Sequence, residues 1–97
     1  MKPLPLNARL LDIAPRVIWF EPPEQALANP LRFLAYAMTY GTPEDLAILR
    51  QHVPDSAFLE VLNHPPPGIM DARSWAYWNV MADKNPVPPM PRRHLPD

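Results

Sequence analysis

Proline constrains this chain more than any other residue type, since sixteen of its 97 residues are proline. Inside a helix, proline removes a backbone hydrogen bond and clashes with the preceding turn, whereas at the first helical position it is well tolerated. Prolines cluster at 22–23, 65–67 and 86–96, and single prolines such as Pro30 and Pro43 stand ahead of apolar segments. This placement predicts several short helices, many of which begin at a proline.

Three segments combine a helix start signal with apolar residues at helical spacing. They are "NPLRFLAYAMTYG" at 29–41, "TPEDLAILRQHV" at 42–53 and "MDARSWAYWNVMADK" at 70–84. Each has, at its first or second position, an Asn, Thr or Asp that can cap a helix, and in the first two segments proline follows this residue. The first segment is apolar around its circumference, which indicates a central helix. Shorter helices are predicted at 22–28 and 54–64.

These segments predict an all-α fold, a compact orthogonal bundle of four to five short helices with an extended N-terminal arm and a Pro-rich C-terminal tail. The predicted boundaries are 1–15 for the arm, 16–84 for the helical domain and 85–97 for the tail. Apolar residues make up 47% of the sequence. That proportion is enough for one core of the limited size expected of a small domain.

The run "RVIWF" at 16–20 is β-branched and aromatic, but an isolated strand has no partner with which to pair. We therefore predict an extended segment that docks onto the helices. Trp19 and Phe20 of this segment are predicted to pack against Trp75 and Trp78, and so to hold the last helix to the start of the domain.

The stretch "RSWAYWNV" at 73–80 brings three large aromatic residues close together. On a helix, Trp75 and Trp78 share one face. A platform for stacking nucleic-acid bases normally has a basic groove beside it. Only Arg73 and Lys84 are near, one at each end, and this favours core packing over base stacking. The predicted core comprises Trp19, Phe20, Phe33, Leu34, Leu49, Phe58, Leu62, Trp75 and Trp78.

The charge distribution argues against a nucleic-acid-binding domain. The chain has a net charge of −1, but residues 21–60 carry six carboxylates and two arginines. A protein that binds the phosphate backbone is expected to present a basic face on its folded part. Here the helical middle of the chain is acidic.

The sequence also lacks the residue patterns of common catalytic and metal sites. It contains no cysteine and only two glycines, so we expect neither a thiolate zinc site nor a glycine-rich loop that cradles phosphate. Its three histidines, His52, His64 and His94, do not stand at the spacing of metal ligands. Glu44 and Asp45 are adjacent and are explained by the dipole at a helix start. We predict no enzymatic activity, no cofactor and no metal.

The C-terminal segment "NPVPPMPRRHLPD" is the candidate for a partner-binding region. Proline stiffens this segment, so part of its conformation is set before it binds. Met90 and Leu95 are apolar anchors beside the cationic pair Arg92 and Arg93, and these four residues are predicted to bind a partner. The alternative is a solvated end with no role.

Location is predicted from the absence of targeting patterns. No apolar run approaches the roughly 20 residues that a membrane-spanning helix needs. The start, "MKPLPLNARLLDIAP", lacks the apolar stretch and cleavage site of a secretion signal. We expect a cytoplasmic protein without a membrane association.

Residues 16–81, about two-thirds of the chain, resemble small bacterial proteins encoded beside nucleotidyltransferase toxins of the AbiEii type. The resemblance rests on "IWF" followed by an acidic residue, on "YGTPEDLAILR" and on "RSWAYWN". It implies an antitoxin or accessory protein whose larger partner carries the chemistry. Many antitoxins of this class contain a winged-helix DNA-binding part, and the sequence shows none.

The expected function is therefore that of a non-enzymatic, all-helical protein-binding module whose partner is a nucleotidyltransferase. One alternative is a nucleic-acid-binding transcriptional regulator that uses the basic ends and exposed aromatics. Another is a homo-oligomeric scaffold that buries its surplus apolar surface against its own copies.

Overall fold

The structure, a computed structural model, describes residues 4–84 and 86–90. These residues form six α-helices and no strand, which confirms the all-α class. The number of helices exceeds the predicted four to five. In chain order the helices are α1 (Ala8–Val17), α2 (Pro23–Ala28), α3 (Pro30–Tyr40), α4 (Pro43–His52), α5 (Asp55–Asn63) and α6 (Ala72–Met81).

Helix α1 is the additional element, and it crosses the predicted boundary between arm and domain. The prediction of an extended arm is therefore wrong over residues 8–15, and that of an extended segment is wrong at 16–17. Asn7 caps the helix by accepting the Leu10 backbone N–H at 2.9 Å. The helix tolerates Pro15 in its last turn because its apolar stripe is fully buried, and this burial outweighs the lost hydrogen bond. The stripe comprises Leu10, Ile13, Ala14 and Val17.

The other helix starts are close to those predicted. Helix α3 begins at Pro30 directly after Asn29. Thr42 and Asp45 form a capping box at the start of α4, in which each side chain accepts the backbone N–H of the other at 3.1 Å. Asp71 caps α6 by accepting the Ser74 N–H at 2.7 Å. These local bonds satisfy backbone donors that a helix start leaves free.

Helix α3 packs against all five other helices, which confirms its predicted central place. Its C-terminal end approaches Gly41 closely, since a Cβ on Gly41 would lie 2.5 Å from the Ala37 carbonyl oxygen. Gly41 has an ordinary φ of −71°. Glycine is therefore needed here to avoid a steric clash, not to reach a left-handed backbone.

An ion pair ties the N-terminal helix to the middle of the chain. Arg16 on α1 lies 2.8 Å from the carboxylate of Asp45 on α4 and 3.2 Å from that of Asp12. Asp45 is buried, and its carboxylate also accepts the Thr42 N–H. Buried carboxylates need such partners to offset lost hydration. Asp45 thus has a structural role beyond the dipole effect expected from the sequence.

In residues 4–84 and 86–90, no helix is both long enough and apolar enough to cross a bilayer.

Candidate functional site

Two of the nine predicted core residues lie on the surface. Trp19 is 67% exposed and Phe20 is 53% exposed, so their assignment to the core is wrong. The reason lies at the end of α1. Its last residue, Val17, and its C-cap, Ile18, are buried in the core, and a turn at 19–20 follows. That turn directs the next two side chains outward.

Four aromatic rings meet at this turn and form what we call the aromatic face, which comprises Trp19, Phe20, Tyr36 and Tyr40. Trp19 contacts Phe20 edge to face, with ring centroids 5.4 Å apart. On α3, Tyr36 and Tyr40 stand one turn apart and stack at 6.2 Å. Phe20 contacts Tyr36 at 5.8 Å, and Trp19 contacts Tyr40 at 6.2 Å. Each ring therefore contacts two others, and the four contacts close a ring of aromatic pairs.

Arg32 and Glu21 border the aromatic face. The Arg32 guanidinium lies 5.3 Å from the Tyr36 ring centroid and 5.7 Å from that of Phe20, within the range of cation–π interaction. It also forms an ion pair with Glu21, and the hydrogen bond from that pair raises the pKa of Arg32 above its ordinary value. The positive charge beside the aromatic rings is therefore already matched.

The pattern on α3 carried a signal for this face. Arg32, Tyr36 and Tyr40 recur every four residues and so lie along one side of the helix. Tyr40, at the C-terminal end of this row, is 53% exposed. A helix that is apolar around its circumference need not bury every side. Tyrosine is suited to the solvent-exposed side because its hydroxyl group can bond to water.

The remaining predicted core residues are buried, but Trp75 and Trp78 have partners other than the predicted Trp19 and Phe20. Trp78 stacks in parallel on Phe58 at 5.9 Å and donates its indole N–H to the Met38 carbonyl at 2.8 Å. Trp78 therefore joins α6 to α3 and α5, and Trp19 and Phe20 have no part in this contact. The buried residues are Phe33, Leu34, Leu49, Phe58, Leu62, Trp75 and Trp78.

The start of the Pro-rich tail packs on the protein's own core. Trp75 donates its indole N–H to the Pro88 carbonyl at 2.8 Å, and Val87 and Met90 are half-buried against the core. Met90 thus contributes to the fold, and its binding to a partner stays a prediction. The other predicted partner-binding residues, Arg92, Arg93 and Leu95, lie outside the described residues, as does His94.

Helix α6 also buries one polar side chain whose oxygen has no protein partner. Asn79 is fully buried and donates from Nδ2 to the Trp75 carbonyl at 2.8 Å, while its Oδ1 accepts no hydrogen bond. Among the described residues, no group of three or more His, Cys, Asp or Glu side chains is placed to hold a metal ion.

Comparisons with protein families, with curated proteins and with solved structures find no match to this chain. The contacts and exposure of its own residues, above all the aromatic face, therefore supply the structural basis for a functional proposal.

Proposed function

We propose that this protein is a non-enzymatic protein-binding module that acts in the bacterial cytoplasm. By the sequence resemblance, its partner is a nucleotidyltransferase toxin, and the module is the antitoxin or accessory component of a toxin–antitoxin or phage-defence operon. The observation that carries the protein-binding role is the aromatic face, with Trp19 67% exposed and Phe20 and Tyr40 each 53% exposed.

Aromatic rings in this arrangement are typical of the energetic centre of a protein interface. Trp, Tyr and Arg are enriched among the residues that contribute most to binding. Trp and Tyr in addition bury a large area at low cost in side-chain entropy. The contacts among the four rings hold each one in place before a partner arrives. Binding then requires little further ordering of these side chains.

Charge favours a protein partner over a nucleic acid. The cation at the edge of the aromatic face, Arg32, is paired with Glu21. Residues 4–84 and 86–90 contain six Lys and Arg side chains against nine carboxylates, a net charge of −3. Stacking surfaces for single-stranded nucleic acid need a basic groove that follows the backbone. An acidic module is better matched to a basic cleft on a protein.

Co-expression with the nucleotidyltransferase encoded beside this protein tests the proposal. We expect the two proteins to elute together in size-exclusion chromatography. The double variant Trp19→Ser with Tyr40→Ser should weaken the Kd by about thirtyfold or more, because loss of such an aromatic residue typically costs about 2 kcal/mol. The matched control is Tyr77→Ser, which removes an aromatic residue of similar exposure on α6.

Three outcomes would contradict the proposal. The first is separate elution of the two proteins at micromolar concentration. The second is an equal loss of affinity in the Tyr77→Ser control, which would show that the aromatic face is not the contact. The third is salt-sensitive binding of single-stranded RNA or operator DNA that depends on Trp19, which would favour the nucleic-acid alternative.

A further inference from the structure

A second apolar surface lies between α5 and the C-terminal end of α6, and it shares no residue with the aromatic face. We call it the α5–α6 groove, and its volume is about 450 Å³. Phe58, Leu62 and Trp78 form its floor, while Leu59 and Met81 stand at its edges. This volume accommodates the side chains of a short segment but not a folded domain.

The floor of the groove is rigid before anything binds. Phe58 and Trp78 stack with an interplanar angle of 4°, and the Trp78 indole is fixed by its bond to Met38. By contrast, Leu59 is 41% exposed and Met81 is 59% exposed. A preformed apolar floor with exposed aliphatic edges can receive a large side chain with little reorganisation.

The rim indicates the chemistry of the occupant. Asp55 and Asp83 contribute carboxylates, and Arg50 contributes a cation at the end of α4. Among the described residues, none of these three forms an ion pair within 4 Å. The rim is therefore net negative, and its two carboxylates can pair with a cation on a partner. Such pairing would fix the orientation of the bound partner.

We propose that the α5–α6 groove binds a short segment of a partner protein in which a large apolar side chain stands beside a lysine or arginine. The apolar side chain enters between Leu59 and Met81 and packs on Trp78. The cation lies against Asp55 and Asp83. This site is separate from the aromatic face, so it does not depend on the function proposed above.

The test uses random peptides displayed on phage and selected on the full-length protein, with enriched peptides then titrated by fluorescence anisotropy. We expect the enriched sequences to place a large apolar residue beside Lys or Arg. The double variant Leu59→Ser with Met81→Ser should weaken the peptide Kd by about tenfold or more. The double variant Asp55→Asn with Asp83→Asn should weaken it several-fold, and more at low salt.

Matched controls separate the groove from the rest of the surface. Val80→Ser removes a neighbouring apolar residue that is 61% exposed and does not line the groove, and Glu60→Gln removes a carboxylate from the exposed side of α5. Both controls should leave the peptide Kd unchanged, as should Trp19→Ser. Circular dichroism melting of every variant verifies that the fold is intact.

Several results would overturn the proposal. One is enrichment of peptides that lack a basic residue. A related result is that the Asp55 and Asp83 variants do not change the Kd of the enriched peptides. Another is peptide binding that Trp19→Ser weakens as strongly as the groove variants do, which would place the peptides on the aromatic face. A third is self-association of the protein that Leu59→Ser abolishes, since a second copy would then be the occupant.

Discussion

The indole N–H of Trp75 donates a hydrogen bond of 2.8 Å to the carbonyl of Pro88, across thirteen residues of sequence. This bond joins α6 to the start of the Pro-rich tail, beside the half-buried Val87 and Met90. The tail chain therefore turns back along α6 over the described residues 86–90. A segment whose composition suggests a solvated end is in part a component of the fold.

Trp75→Phe should loosen this attachment while keeping the ring in the core. The variant removes the donor to Pro88, and a typical hydrogen bond contributes about 0.5–1.5 kcal/mol. We expect the NMR signal of the Met90 methyl group to shift toward that of a solvent-exposed methionine. Trp19→Phe makes the same change at an exposed ring and should leave the signal in place. An unchanged Met90 signal in Trp75→Phe would contradict the role of the bond.

Trp78→Ala should be among the most destabilising single changes in this chain. The variant removes the stack on Phe58 and the donor to Met38, and loss of a large buried aromatic typically costs about 3–5 kcal/mol. Urea unfolding measures this cost. Trp78→Phe, which keeps a ring on Phe58 but not the donor, should lose less. A loss below about 1 kcal/mol in Trp78→Ala would show that this ring is not part of the core.

Trp19→Ser should have little effect on the stability of the isolated protein. Its ring is 67% exposed, and substitutions at exposed positions usually change the free energy of unfolding by about 0.5 kcal/mol or less. Loss of the ring contacts to Phe20 and Tyr40 adds to this destabilisation. Thermal melting of Trp19→Ser beside Trp78→Ala provides the comparison. Equal losses in the two variants would restore the original assignment of Trp19 to the core.

Gly41→Ala and Gly68→Ala should both destabilise the protein, but for different reasons. The Gly41 variant places a Cβ 2.5 Å from the Ala37 carbonyl oxygen, and such overpacking typically costs about 1–3 kcal/mol. Gly68 has open space around it and a φ of +80°, so its variant loses roughly 1–2 kcal/mol through backbone conformation alone. Urea unfolding measures both. A neutral Gly41→Ala would show that the end of α3 can move away.

Gly68→Asn separates these two causes. Asparagine tolerates the left-handed backbone better than alanine, so it should recover part of the stability lost in Gly68→Ala. The same residue at Gly41 keeps the clash with Ala37 and should recover nothing.

Asp71 should make the stability of the protein depend on acid pH. The Ser74 backbone N–H, together with the Ser74 side chain, lowers the pKa of the Asp71 carboxyl below its ordinary value of 3.8. A lowered folded-state pKa means that this stabilisation is full above the unfolded pKa and is lost as pH falls through the folded pKa. At neutral pH, loss of a helix cap in Asp71→Ala should lower the free energy of unfolding by about 1 kcal/mol relative to the wild type. This difference should therefore shrink below about pH 4.

Asp71→Asn is the control for this titration. Asparagine still caps a helix but does not titrate, so its difference from Asp71→Ala should persist at low pH. A pH profile of Asp71→Asn identical to that of the wild type would show that another carboxyl is responsible.

Helix positions were largely predictable because their signals are local. The capping pair Thr42 and Asp45, the Asp71 cap and the first-turn Pro30 act within a few residues, so the sequence alone places these helix starts. The sequence does not predict helix α1, because a proline inside a helix removes a backbone hydrogen bond and Pro15 stands within it. Only the burial of its apolar stripe in the assembled core outweighs the backbone hydrogen bond that this proline removes.

The candidate surfaces were less predictable, because they depend on which side of each element faces a neighbour. Trp19 and Trp78 are the same residue type in comparably apolar surroundings, yet one is exposed and the other packs on Phe58. The stripe Arg32, Tyr36 and Tyr40 was visible on α3, but its exposure was not. The α5–α6 groove combines residues from three helices, and no sequence pattern brings these together.

The sequence by itself determined the all-α class, most helix boundaries and the central place of α3, since prolines, caps and apolar periodicity act over a turn or two. The tertiary structure alone decided that α1 is a helix, that Trp19 and Phe20 lie outside, and that Trp75 holds Pro88. Each of these outcomes depends on burial and hydrogen bonding between residues distant in sequence. Such contacts exist only once the helices have packed.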